Sequence, residues 1–238
     1  MDAEIKQKLP AWWIIILAPT GILLSSLFYG VFNNEIEYIF QSFGIHQSRV
    51  FALLVYNFAT AIAVLLYYFL LRSKGLSFGH AGYRNKLTGK GILYGIGAFF
   101  IVSIILYPLI DSLLANFNIP MFWESIGETA IKQNTTQDIF LGILIPAILS
   151  PLTEDTIFRG YVFQMFSERM KVWMAIILSS LIFAVIHIGF FGPGLTVWVF
   201  FFGIASAYLY YKFDSIYPSL FYHFINNMWA YVIVPMLY

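Results

Sequence analysis

Glu154 and Asp155 stand side by side in TEDTIFRG, residues 153–160, directly after the uncharged run IFLGILIPAILSPL, residues 139–152. Ionisable side chains are costly to hold in so apolar a segment and mark a functional site by default. Arg159 follows four residues after Asp155, His187 closes FAVIH in a second apolar run, and His223 and Asn227 share HFINN in a third. Helical residues i and i+4 share a face. Asp155 and Arg159 are therefore placed to form an ion pair that fixes their helix, and His223 and Asn227 are presented together. Glu154 has Phe158 as its own i+4 neighbour, so it points about 100° away from Asp155 and has no cation on its helix. A carboxylate left free in this way suits general-base chemistry. Any one of these histidines alone reads equally well as a hydrogen-bonded packing residue. Two of the chain's four histidines, with an unpaired glutamate and an asparagine in apolar surroundings, point to one shared site.

The helices that must position them follow from composition. Of 238 residues, 60% are hydrophobic and 11% charged. An ordinary soluble domain carries about 25% charged residues, so this chain reads as an all-α, polytopic transmembrane bundle of seven or eight helices. A net charge of +1 excludes an electrostatic nucleic-acid binder. With no cysteine, disulfides and thiolate metal sites are excluded.

Seven apolar spans are expected, at about 11–32, 50–71, 91–116, 138–168, 173–188, 195–211 and 218–235. The first exceeds the core of a secretory signal and lacks a small-residue cleavage site, so it reads as a retained helix with Trp12 and Trp13 at the interface. Glu35, Glu37 and Arg49 fall in a loop after it, and Glu124, Glu128 and Lys132 in an extracytoplasmic loop, 117–137, with room for an interfacial helix. Gly91 and Gly95 would permit close helix contact, and Pro146 and Pro151 would kink the fourth span. Residues 72–90 carry Arg72, Lys74, Arg84, Lys86 and Lys90 and no acid, which makes this loop cytoplasmic. Counting crossings from it puts the N-terminus, Arg169, Lys171 and Lys212 on the same side. The chain divides into an N-terminal part, 1–137, with three spans, and a core, 138–238, with four and all the site residues. At about 1.5 Å per residue, Glu154 and His187 lie at matching depths of about 20 and 24 Å, whereas His223 is only about 8 Å past Pro218. Either residues 160–171 protrude, or the 212–218 turn dips inward.

TEDTIFRG, FAVIH and HFINN resemble, in order and spacing, the EExxxR, FxxxH and HxxxN motifs of the CPBP (Abi-like) family. That family contains the type 2 CAAX prenyl proteases and bacterial relatives linked to bacteriocin processing and immunity. The resemblance covers about 138–230; residues 1–137 support it only through hydropathy. It implies intramembrane peptide hydrolysis, with Glu154 and His187 activating water, His223 and Asn227 forming an oxyanion hole, and Asp155 and Arg159 in support. Arg159 is also placed to grip a substrate carboxylate. One departure is Asp155, where the family has a second glutamate; the shorter side chain keeps a role in pairing with Arg159. No cofactor is favoured. A zinc-dependent version would use Glu154, His187 and His223 as ligands, but the chain has no HExxH and would be left with Asp155 as its base. The expected partners are the lipid bilayer and a peptide or protein substrate, prenylated or a leader peptide, in a bacterial plasma membrane. A transporter and a non-catalytic immunity or scaffold protein are the rival classes; the first lacks an internal repeat, and the second would tolerate loss of Glu154.

Overall fold

The computed structural model describes residues 8–42, 48–122 and 135–237, which form seven helices and no strand. They are α1 (Ile14–Ser42), α2 (Ser48–Ser73), α3 (Gly89–Ala115), α4 (Thr136–Ser167), α5 (Val172–Phe191), α6 (Pro193–Phe213) and α7 (Tyr217–Met228). The first six are long and apolar enough to span a membrane, α1 through Ala11–Phe32 and α2 through Ala52–Ser73. The expected seventh span is present as helix, continued by Trp229–Ile233 and Val234–Leu237, but is not among those six. It carries Ser219, His223, Asn226 and Asn227 along one buried side.

Helix limits follow local chemistry. Thr135 and Asp138 form a capping box at the start of α4, each accepting the other's backbone N–H, at 3.1 and 2.9 Å. Gly192, at φ +86°, breaks the chain between α5 and α6, and Pro193 starts α6. The loop expected after residue 32 is largely helix instead. The chain kinks at Phe32, where the apolar run ends, and helical geometry resumes to Ser42. The expected interfacial helix with Glu124, Glu128 and Lys132 lies outside the described residues.

Four π-helical segments interrupt the helices, at Phe100–Leu106, Ile143–Leu149, Phe158–Phe163 and Trp229–Ile233. Three of them contain a proline or have one within two residues, Pro108, Pro146 and Pro235. Proline has no N–H and crowds the carbonyl one turn earlier, and the wider turn relieves both. Backbone carbonyls in lipid need protein donors. Trp198 Nε1 donates to Val102 O at 2.9 Å, Asn227 Nδ2 to Pro146 O at 2.7 Å, and the Tyr67 hydroxyl to Gly160 O at 2.7 Å. These bonds tie α3 to α6, α4 to α7 and α2 to α4. Gly91 and Gly95 do mark a close contact, packing α3 onto Pro218 and Phe221 of α7.

The 74–88 loop is built into the bundle rather than draped over it. Ala81 is fully buried, and Gly82 O accepts the Ile216 N–H at 2.9 Å. Ser215 Oγ donates to Arg84 O and Asn85 O, at 2.8 and 2.7 Å, and Arg84 pairs with Asp214. The Tyr83 hydroxyl lies 2.6 Å from Thr156 Oγ1, on the turn of α4 that carries Asp155. Before α1, Leu9 donates its N–H to Glu168 Oε2 at 2.9 Å, and Pro10 O accepts the Tyr161 hydroxyl at 2.6 Å.

Candidate active site

The apolar run before Glu154 fixes the depth of α4 in the bundle, and α4 packs against α2, α5 and α7. Glu154, Asp155 and Arg159 are all buried, at 5%, 0% and 2% exposure. His187 Nε2 and His223 Nε2 approach the same carboxylate oxygen, Glu154 Oε2, at 3.8 and 4.0 Å. Both separations exceed hydrogen-bond length, so they leave a gap between base and imidazoles rather than a closed bond.

The second nitrogen of each ring explains its orientation. His187 Nδ1 is 2.6 Å from Phe183 O, one turn earlier on its own helix. A carbonyl only accepts, so Nδ1 carries a proton and the ring turns Nε2 toward Glu154. Phe183, the first position of FAVIH, thus supplies a backbone acceptor and a ring 4.6 Å from the imidazole. His223 Nδ1 is 3.1 Å from Asp155 Oδ1. A carboxylate or carbonyl behind the imidazole fixes ring direction and tautomer, as second-layer partners of functional histidines do.

Asp155 is the hub of the supporting network. Its Oδ1 also lies 3.3 Å from Arg159 Nη1, the expected i,i+4 pair, and its Oδ2 accepts Ser219 Oγ at 2.7 Å. Ser219 in turn is 2.6 Å from Ser206 Oγ of α6. The guanidinium carbon of Arg159 lies 4.2 Å over the Phe183 ring, so the cation is held by a carboxylate and an aromatic face. The shorter aspartate reaches all three partners directly.

The structure therefore brings Glu154, Asp155, Arg159, His187 and His223 together. Asn227 lies one turn further along α7. Its amide donates to Pro146 O at 2.7 Å, and its Oδ1 accepts from Asn226 Nδ2 at 3.1 Å. Asn226 Oδ1 accepts Ser103 Oγ at 2.8 Å. The face shared by His223 and Asn227 thus runs along α4 from Asp155 back to Pro146.

The mismatch in depth is resolved by α7. Ser219, in its first turn, is level with Asp155, and α4 runs another 12 residues to Ser167, about 18 Å. The last turns of α4 protrude past the start of α7, with the 74–88 loop packed against them.

Ser219 was legible as the first of an i, i+4, i+8 series with His223 and Asn227. Tyr83, Ser206 and Thr156 carried no sequence signal that separates them from ordinary residues of their segments.

A tetrahedral zinc with bonds of about 2.0–2.2 Å places its ligand atoms roughly 3.3 Å apart. The Glu154–His187 and Glu154–His223 separations of 3.8 and 4.0 Å are wider. Among the described residues, no three histidine or carboxylate side chains converge closely enough to hold an ion. The residues as placed do not fit a metal.

Fold and site together define a class: a polytopic helical membrane protein whose titratable centre is buried among its helices. Residues 136–229 match the family model described as type II CAAX prenyl endopeptidase, Rce1-like. Over that stretch the match agrees with the resemblance read from the three motifs. The chain is also similar to an Escherichia coli protein described as an uncharacterized 24.3 kDa protein, at 28% identity over 105 residues, 43% of this chain. The match spans 46% of that relative, about half its length. No solved structure matches.

Proposed function

We propose that this protein is an intramembrane endopeptidase that hydrolyses a peptide bond in a membrane-associated or lipidated peptide. The observation that carries this reading is that two imidazoles from separate helices turn Nε2 to one oxygen of a buried carboxylate, each ring held by a defined Nδ1 partner. Water placed in that gap loses a proton to Glu154, its orientation set by His187 Nε2, while its oxygen attacks the scissile carbonyl carbon. The resulting oxyanion accepts from His223 Nε2 and from the amide hydrogen of Asn227 that Pro146 O does not use. Asp155, behind Nδ1 at 3.1 Å, holds the His223 ring with Nε2 toward the site. Glu154 then delivers its proton to the leaving nitrogen as the C–N bond breaks. Asp155 and Arg159 hold α4 in register, and Arg159 offers a cation to a substrate carboxylate. The reaction as written uses no metal. We place the protein in a bacterial plasma membrane with its N-terminus cytoplasmic, in keeping with the basic 72–90 loop.

The test uses purified protein in detergent and two internally quenched probes, a farnesylated peptide ending in a CAAX sequence and an unmodified leader-type peptide. Wild type cleaves at least one, and Glu154→Gln and His187→Ala lower the rate by about a hundred- to ten-thousandfold. Failure to cleave either probe, or retention of the wild-type rate by Glu154→Gln, leaves the non-catalytic scaffold as the better reading.

A further inference from the structure

The proposed oxyanion hole depends on where the Asn227 amide points, and two hydrogen bonds set that direction. In the π-helical turn of α4 the Ser150 N–H donates to Ile145 O, five residues back. The next pair in that register would be Pro146 O with residue 151, a proline that has no N–H. Pro146 O takes the Asn227 Nδ2 instead, at 2.7 Å. A carbonyl only accepts, so the amide nitrogen faces Pro146 and Oδ1 faces away from it. On that other side Asn226 Nδ2 donates to Oδ1 at 3.1 Å.

Asn226 is itself oriented from α3. With its nitrogen turned to Asn227, it presents Oδ1 to the Ser103 hydroxyl, which donates at 2.8 Å. A carboxamide oxygen only accepts, so the relay has one direction, from Ser103 through Asn226 and Asn227 to Pro146. Rotation of an asparagine amide about its last bond is soft. A single bond to Pro146 O would let the amide plane swing, and a second bond across it stops the swing. Both asparagines are buried, so water does not compete for these bonds. Ser103 reaches Asn226 because α3 lies tight on α7: an added Cβ would come 3.2 Å from Pro218 Cγ at Gly91 and 2.8 Å from Phe221 Cδ1 at Gly95. All of α3 lies outside the family match, which covers 136–229.

We propose that Asn226 is a positioning residue for the hydrolysis, fixing the Asn227 amide plane so that its second N–H points to the developing oxyanion, with Ser103 of α3 setting Asn226. This rests on Asn227 being an oxyanion donor. The amino-terminal helices then do more than anchor the chain: the oxyanion hole is aligned only when α3 is docked on α7.

Two readouts separate the relay from the reaction. In protein made with isotope-labelled asparagine, Asn227→Asp assigns the side-chain amide resonances of Asn227. Ser103→Val shifts those resonances although Ser103 donates to Asn226, whereas Ser103→Thr, of the same shape as the valine but with a hydroxyl, leaves them in place. In the cleavage assay Asn226→Leu lowers kcat about ten- to a hundredfold with KM within about twofold, the pattern of a mis-set transition-state donor rather than lost binding. Ser103→Val lowers kcat about three- to tenfold, the share of one neutral hydrogen bond, and Ser103→Thr restores it. The Ser103 pair decides alone if Asn226→Leu folds poorly. Asn227 resonances unmoved by Ser103→Val overturn the relay, and moved resonances with unchanged kcat overturn the positioning role. Cleavage that is lost in Glu154→Gln but kept in Asn227→Ala overturns it as well, while the hydrolase reading stands. If wild type cleaves neither probe, the hydrolase reading fails, and the resonances still decide whether Ser103 and Asn226 hold Asn227.

Discussion

Replacing Asp155 with Asn keeps the shape of the side chain and removes only its charge. Arg159 is 2% exposed, and its Nη1 and Nη2 have no hydrogen-bond partner among the described residues. Its ion-pair partner is Asp155 Oδ1 at 3.3 Å, so the neutral variant leaves a guanidinium buried against the Phe183 ring without a counter-charge. Breaking a buried pair from one side costs about 3–5 kcal/mol, which for a chain of this size lowers Tm by roughly 6–20 °C. Removing both charges together, as Asp155→Asn with Arg159→Met, leaves no orphaned ion. The double variant is therefore expected to lose clearly less than the sum of the two single losses. Thermal unfolding of the four proteins in one detergent measures this directly. A Tm for Asp155→Asn within about 2 °C of wild type, or strict additivity in the double variant, refutes the claim that Asp155 and Arg159 act as a unit.

Three other outcomes are expected. An added Cβ at Gly160 would sit 2.9 Å from Ala81 O and 3.1 Å from Ala81 Cβ, so Gly160→Ala lowers Tm by overpacking, a cost of about 1–3 kcal/mol. In an open helix the same change gains about 0.5–1 kcal/mol, so a raised Tm sinks the close approach of the 74–88 loop to α4. Burial alone would raise the Glu168 carboxyl, but the His80 imidazole 3.4 Å away and the hydrogen bond from the Leu9 N–H outweigh it and hold the group below its ordinary 4.5. A depressed carboxylate contributes its stability above the ordinary value and loses it as pH falls through the lowered one. Tm should therefore decline on acidification below 4.5, and Glu168→Gln should flatten that decline; identical profiles exclude the contribution. Finally, prolonged dialysis against a strong chelator leaves the cleavage rate unchanged. A stoichiometric zinc whose return restores lost activity would make Glu154, His187 and His223 ligands instead.

Some of this arrangement was open to reading along the chain. The i,i+4 relation of Asp155 and Arg159 lies within one helix turn, so spacing alone places them, and the ion pair forms as expected. The isolation of Glu154 from any cation on its own helix was legible for the same reason. The first apolar span ends at Phe32 as its hydropathy indicates, but the charges at Glu35 and Glu37 suggest a loop where the chain stays helical past the kink to Ser42. His223 and Asn227 share a face, but the sequence did not say that the Asn227 amide would be engaged by Pro146 O, a carbonyl 81 residues away.

What the sequence determined by itself is the set of apolar runs and the positions of polar groups within them, because hydropathy and helical periodicity act over one segment at a time. Which groups meet was decided by tertiary packing. The His223–Asp155 contact, 68 residues apart, needs α7 at one height and rotation against α4, as the Asn57–Ser150 bond, 93 residues apart, does for α2. Height and rotation are set by glycines, π turns and carbonyls that seek donors in the absence of water, and these act between helices rather than along the chain.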